Sequence, residues 1–194
     1  MSLFEKVSSL LREIKDKSDV AAYLAYSSLL YESKPIARGV LRLEEEVDEL
    51  RLRLQKILVE EGEELGTESA MAVMLLTEAM ERITDLARDL ALNVLKGGEA
   101  HPVLDLAEEE SEEQVLLVRV TEDSIFSGRR IGELAFDDRI GVRAIAVKHR
   151  GVWIYDPDEE LRLENGDLLL LSGYKAGIEV LEEAEEEVEE VEEV

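Results

Sequence analysis

Four carboxylates at helical spacing are the first residues of this chain that could do chemistry. Glu44 and Asp48 stand four apart, as do Glu81 and Asp85, and residues at that spacing share one helix face, about 6 Å from each other. Glu78 and Asp89 extend the second row in both directions. Two like charges at about 5 Å repel by roughly 3 kcal/mol at an effective dielectric of about 20, so a dry cluster needs protonation or a bound cation. Oxygen ligands of this kind suit magnesium, calcium, manganese or iron. The same rows also suit a solvated surface, because glutamate is abundant here and Arg82 and Arg88 are close enough to pair with them. Both readings stand on the residues alone.

Other chemistry-bearing types are scattered. His101 precedes Pro102, and His149 lies beside Arg150; two isolated histidines make neither a triad nor a metal cage. The stretch from Gly128 to Gly132 is too short for a phosphate-binding loop and precedes the wrong element, and no dinucleotide fingerprint occurs. Trp153 and Tyr155 share one strand face, read as packing before base stacking. No set of nucleophile and base can be picked out, so a non-enzyme is expected.

The chain has 194 residues, 45% of them hydrophobic, enough for one or two modest cores. It has no cysteine, which excludes disulfides and thiolate metal sites. With 47 acidic and 22 basic residues its formal charge is -25, a field that repels nucleic acid and anionic lipid and attracts cations or basic partner surfaces. Met1 to Lys6 leads directly into an amphipathic helix rather than a secretory signal. No window approaches the roughly eighteen apolar residues of a membrane span. A cytoplasmic protein without direct membrane insertion is expected, peripheral only through a membrane-protein partner.

The elements that must position the carboxylates are three helices. Leu3, Val7, Leu10 and Ile14 mark a short first helix, with Ser18 or Asp19 capping the next. In that longer helix Ile36, Val40, Leu43, Val47, Leu50, Leu54 and Ile57 alternate steps of four and three, a coiled-coil-like seam. Pro35 should kink or divide it. Gly62 and Gly66 end it, Thr67 caps a third helix with a stripe through Val73, Leu76, Met80, Ile83, Ala87, Leu90 and Val94, and Gly97-Gly98 stops that one. The run Glu81-Arg82-Ile83-Thr84-Asp85, continuing to Ala91, resembles the Glu-Arg-Ile-x-Asp helix of PhoU, a helical-bundle family of phosphate-signalling regulators. Glu44 to Asp48 falls where that family's other acidic motif would lie. The resemblance implies a metal site at Glu44, Asp48, Glu81 and Asp85, for a divalent or iron cation. PhoU proper has two three-helix repeats and this chain one, so a six-helix unit would require dimerisation.

Near residue 100 the pattern changes to short β runs broken by glycine. Gln114 to Val120, Val142 to Val147, Val152 to Tyr155 and Leu168 to Leu171 read as strands, with helical turns near Ile131 to Leu134 and a closing helix from Tyr174 to Glu183. His149-Arg150-Gly151 and Asn165-Gly166 read as tight turns. Ser124, Gly128, the Ile131 to Leu134 turn, Gly141, Ala144 to Val147, Arg150-Gly151, Pro157, Gly166-Asp167 and Gly173 resemble the ligand-sensing domain of TrkA-type potassium-uptake regulators, called TrkA-C or RCK-C. In such domains a pair of subunits encloses a small ligand, sometimes a cyclic dinucleotide, against the segment equivalent to Asp137 to Ala144. By that resemblance Arg139 and Arg143 are the ligand-binding candidates, with Asp137 and Asp138 beside them weakening the case for a phosphate.

The expected architecture is an antiparallel three-helix bundle (1–98), an acidic linker (99–113), a small α+β domain of order β-α-β-β-β-α (114–183) and a solvated acidic tail (184–194). The resemblances imply a homodimeric regulator of potassium or other cation transport. It would switch dimer arrangement on binding a small ligand or cation and act on a separately encoded membrane channel or transporter. The alternative is a metal-binding PhoU-like adaptor in phosphate signalling.

Overall fold

The computed structural model describes residues 2–98, 103, 107, 110–134 and 141–192, the last seven by backbone alone. The chain divides into two compact units, Met1–Ala100 and His101–Val194.

The first unit is three long helices, α1 (Leu3–Leu30), α2 (Lys34–Glu61) and α3 (Thr67–Leu95), with a 3-10 turn at Gly62–Leu65 before the third. Ser2 caps α1 with a capping box to Glu5, satisfying two N–H groups that a helix start leaves open. Ser33 caps α2, and Pro35 sits in its first turn, where a missing N–H costs nothing. Pro35 therefore divides the helices. Ser18 is a correction: it caps nothing, and α1 runs through it to Leu30. Its hydroxyl donates to the Ile14 carbonyl at 2.7 Å, so a residue favoured at caps is buried in mid-helix without an orphaned polar atom.

Lys6–Glu61 and Lys17–Glu46 pair α1 with α2 in antiparallel sense, and Arg51–Glu81 and Arg88–Glu44 do the same for α2 and α3. Ile14, Val47 and Leu54 pack at the centre, with Leu3, Val7 and Leu10 extending the core toward the α1 start. The expected α2 seam is buried at Ile36, Val40, Leu43, Val47 and Leu54, with Leu58 completing it in place of Ile57. On α3 the expected stripe holds only in part: Ala87 and Val94 are buried and Val73 and Met80 pack against the core. Leu76, Ile83 and Leu90 are exposed, and the buried face is Ala70, Thr77, Thr84, Ala87, Ala91 and Val94. Small residues let α3 approach the other two helices closely, and Thr77 and Thr84 bond back to carbonyls one turn earlier.

The second unit is a four-stranded antiparallel sheet of order β1-β4-β2-β3, made of β1 (Glu113–Arg119), β2 (Val142–His149), β3 (Val152–Tyr155) and β4 (Leu168–Tyr174). A short helix α4 (Ile131–Leu134) precedes β2, and α5 (Lys175–Glu192) follows β4. Phe126, Leu163, Leu169, Leu171 and Ile178 form the core under one face of the sheet. The acidic run past Glu183, expected as a solvated tail, continues α5 to Glu192. Glu185 supplies the reason: its carboxylate accepts from Ile125 N at 2.8 Å and Ser124 Oγ at 3.0 Å, tying the helix to the loop that carries Phe126.

Candidate functional site

The four carboxylates of the helical unit do come together. Glu44 and Asp48 face Glu81 and Asp85 across the α2–α3 groove, near enough for their charges to act on one another. Arg51, one turn beyond Asp48, enters the row: its guanidinium lies 2.8 Å from Glu81 Oε1 and 3.1 Å from Asp48 Oδ1. Arg88 stands 3.6 Å from Glu44 Oε1. Burial raises the carboxyl groups of Glu44 and Glu81 above the ordinary value; Arg88 and Arg51 oppose that, and Asp48 and Asp85 add to it. The arrangement is thus a row of four carboxylates partly neutralised from within by two arginines. Among the described residues no three carboxylates or histidines gather tightly enough to hold a metal ion. Sequence reasoning missed Arg51, although its i+3 step from Asp48 places it on the same helix face. Arg82 pairs with the extension of the row, as expected, bridging Glu78 on the exposed side of α3 at 2.8 Å.

In the β unit the start of β2 lies against the end of β4 through two glycines. Gly141 has φ +66, and a side chain there would run into the Tyr174 ring at 2.8 Å. At Gly173 a Cβ would sit 2.4 Å from the Gly141 carbonyl oxygen. Tyr174 N donates to that same oxygen at 3.2 Å. The backbone of the segment that leads into Arg143 is thereby held on the sheet, with the exposed Tyr174 beside it.

Register then assigns the face. Arg143 and Val115 both lie opposite Ser172, the next row joins Leu117, Leu170, Ala146 and Tyr155, and the last joins Arg119, Leu168, Lys148 and Trp153. These rows share the sheet face opposite the core, after a bulge between Ala144 and Ala146 has restored alternation in β2. In a strongly acidic chain this face gathers Arg119, Arg143 and Lys148 beside two aromatic rings. Trp153 and Tyr155 are half-buried, and Trp153 Nε1 is buried without a hydrogen-bond partner among the described residues. Arg139, with Asp137 and Asp138, lies outside the described residues, as does His101.

His149 is not isolated. Its Nδ1 lies 2.9 Å from Asp167 Oδ2, and Asp167 is almost fully buried, also accepting from Glu164 N at 2.9 Å. Arg150 takes φ +50 in the β2–β3 turn and is held by a two-pronged pair to Glu164 at 2.9 and 2.6 Å. These contacts fasten the β2–β3 turn to the turn before β4, a structural role.

Residues 7–94 match the PhoU domain and residues 115–185 the TrkA-C domain. No curated protein matches the chain. Among solved structures, the RCK_C domain dimer of S. agalactiae BusR in complex with c-di-AMP is 26% identical, the match covering 38% of this chain and 91% of that one at a TM-score of 0.34. The RCK C domain of the potassium transport protein KtrA, in complex with the same cyclic dinucleotide, is 28% identical, covering 42% and 94% at a TM-score of 0.34. S. agalactiae BusR in complex with its busA-promotor DNA is 20% identical over 61% of this chain and 66% of that one, at a TM-score of 0.33.

Proposed function

From a chain that joins a PhoU domain to a TrkA-C domain, we infer a non-enzymatic regulatory subunit for cation transport, potassium first among the cations. It works in the cytoplasm as a homodimer and acts on a separately encoded membrane channel or transporter. The observation that carries this reading is the sheet face of the β unit. Arg143 and Tyr174 lie exposed where two glycines hold the start of β2 against β4, at the segment where sensing domains of this type take a ligand. Arg143, with Arg139 from the adjoining segment, supplies the charge for an anionic small ligand. A ligand that prefers one arrangement of the dimer shifts the population toward it, and that shift is what the membrane partner reads. Among the described residues no helix is long and apolar enough to cross a membrane, in keeping with action through a partner.

A ligand that prefers the folded dimer raises its melting temperature. The purified chain is therefore to be heated with potassium, inorganic phosphate, mononucleotides and c-di-AMP, each in turn. A rise with one anionic probe that disappears in Arg139→Ala and Arg143→Ala supports the reading; no rise with any of them sinks it. In cells, potassium flux that is unchanged on loss of the protein would count against the transport role.

The second reading is a metal-dependent adaptor in phosphate signalling, favoured by the raised carboxyl groups of Glu44 and Glu81 within one acidic row. A divalent or iron cation would there displace Arg51 and Arg88. Stoichiometric metal in the purified protein, lost in Glu81→Ala and Asp85→Ala, would establish it over the first.

A further inference from the structure

Most of the apolar residues that α3 leaves uncovered fall in one row, with Met71 and Leu75 exposed outside it. Ala72, Leu76, Ala79, Ile83, Leu86 and Leu90 are all exposed, the four large ones at 45%, 45%, 66% and 45%. Their steps of four, three, four, three and four define a seam of period 3.5, the spacing of helices that pack side by side. It runs for about 27 Å along the helix, on the side of α3 away from the carboxylate row. A patch of this length is more than a lone surface leucine requires.

We propose that this seam is the interface of the helical unit with a second copy of the chain, α3 against α3 in antiparallel sense. The argument is its symmetry. Place a two-fold axis at the level of Glu81, and Ala72 meets the partner's Leu90, Leu76 the partner's Leu86, and Ala79 the partner's Ile83. The same three contacts repeat by symmetry, as an isologous interface demands. Each alanine faces a large side chain, so every layer is filled and none is crowded. In a parallel pair Ala72 and Ala79 would each face their own copies and leave two voids.

The residues beyond the seam agree with the same register. Ser69 falls opposite the partner's Asn93, a polar pair at the rim. Glu68 and the partner's Lys96 flank the seam on the same side, about 3 Å apart along the axis, so two ion pairs of opposite charge close the ends. The one like pair, Arg82 beside the partner's Arg82, has each guanidinium already bridged to Glu78 at 2.8 Å. None of the six seam positions is charged, so closing it sets none of the chain's excess carboxylates face to face. A groove of about 600 Å³ next to Ala72, lined in part by Phe4, Leu11, Ser69 and Val73, receives the end of the partner's helix. Phe4, 72% exposed, forms its outer wall.

This rests on the homodimer of the proposed function and names the surface that forms it in the helical unit. The native chain has no cysteine, so single introduced thiols report cleanly. In the full-length chain, Ala72→Cys mixed with Leu90→Cys should give a disulfide-linked dimer on mild oxidation, and neither variant alone should do so. Adding Leu76→Glu and Leu86→Glu to both should abolish the link with helix content unchanged, since both positions face solvent in one copy. Self-linking of Ala72→Cys would mean a parallel pair and overturn the proposal. A sample that sediments as a dimer and yields no mixed link overturns it too, while leaving the homodimer intact. A monomer at every concentration overturns both.

Discussion

Arg51 of α2 and Glu81 of α3 are joined at 2.8 Å, Nε to Oε1, and the same guanidinium reaches Asp48 at 3.1 Å. One arginine therefore binds two carboxylates on two helices and makes an acidic groove compatible with folding. Removing it leaves like charges facing each other across partly buried space.

Arg51→Ala should destabilise the helical unit by about 1 kcal/mol, the upper end for a partly exposed ion pair. The loss should be non-additive with Glu81→Ala in a double-mutant cycle followed by urea unfolding. Strictly additive effects would mean that the contact contributes nothing.

The pH response of this groove has a definite sign. Burial sets the carboxyl groups of Glu44 and Glu81 above the value of 4.5 that they have when unfolded, so between the two values the native state holds protons that the unfolded chain has released. Stability from these groups rises as pH falls from neutral through the native value, and levels off below 4.5. Glu81→Gln, which cannot ionise, should flatten the slope of the urea midpoint with pH; an unchanged slope would rule the groove out as its source.

Glu164 works in the opposite direction in the other unit. Its hydrogen bond to Arg150 holds its carboxyl below the ordinary value, so its contribution is present above the unfolded value and is lost as pH falls through the native one. The single tryptophan, Trp153, lies in this unit, and its fluorescence separates this transition from the helical one. Arg150→Ala should weaken the β unit near neutral pH and lose that effect in acid.

Gly173→Ala should cost about 1–3 kcal/mol, the range for forcing atoms into a packed site, because its new Cβ would press on the Gly141 carbonyl at 2.4 Å. Gly151→Ala meets nothing within 4 Å and carries only the strain of positive φ, about 1 kcal/mol. Thermal unfolding read at Trp153 ranks the two, and equal losses would refute a steric reason.

Glu185→Ala should expose the Ile125 amide to exchange with solvent and lower the stability of the β unit by about 1–2 kcal/mol, since that carboxylate is the hydrogen-bond acceptor for Ile125 N and Ser124 Oγ. Unaltered exchange at Ile125 would show that the end of α5 is not anchored there.

Element types were legible because they depend on local chemistry. Alternation and turn glycines marked the four strands, and Pro35 marked the break that the structure places between α1 and α2. The TrkA-C and PhoU resemblances were likewise readable from short runs of residues, since glycine spacing and the Glu81 to Asp85 motif are properties of the chain itself.

Which face points where was settled only by the assembled helices. The hydrophobic stripe of α3 is written along the helix, yet the bundle fully buries only Ala87 and Val94 of it, adds Ala91 and Thr84, and leaves Leu76, Ile83 and Leu90 outside. Close approach of three helices selects small side chains, and no single helix reveals its neighbours. In the same way the acidic spacing of Glu44, Asp48, Glu81 and Asp85 was plain in the sequence, but Arg51 as their shared counter-charge was not. Its role comes from a helix thirty residues away in sequence and 2.8 Å away in space, a distance that only the packing of α2 on α3 creates.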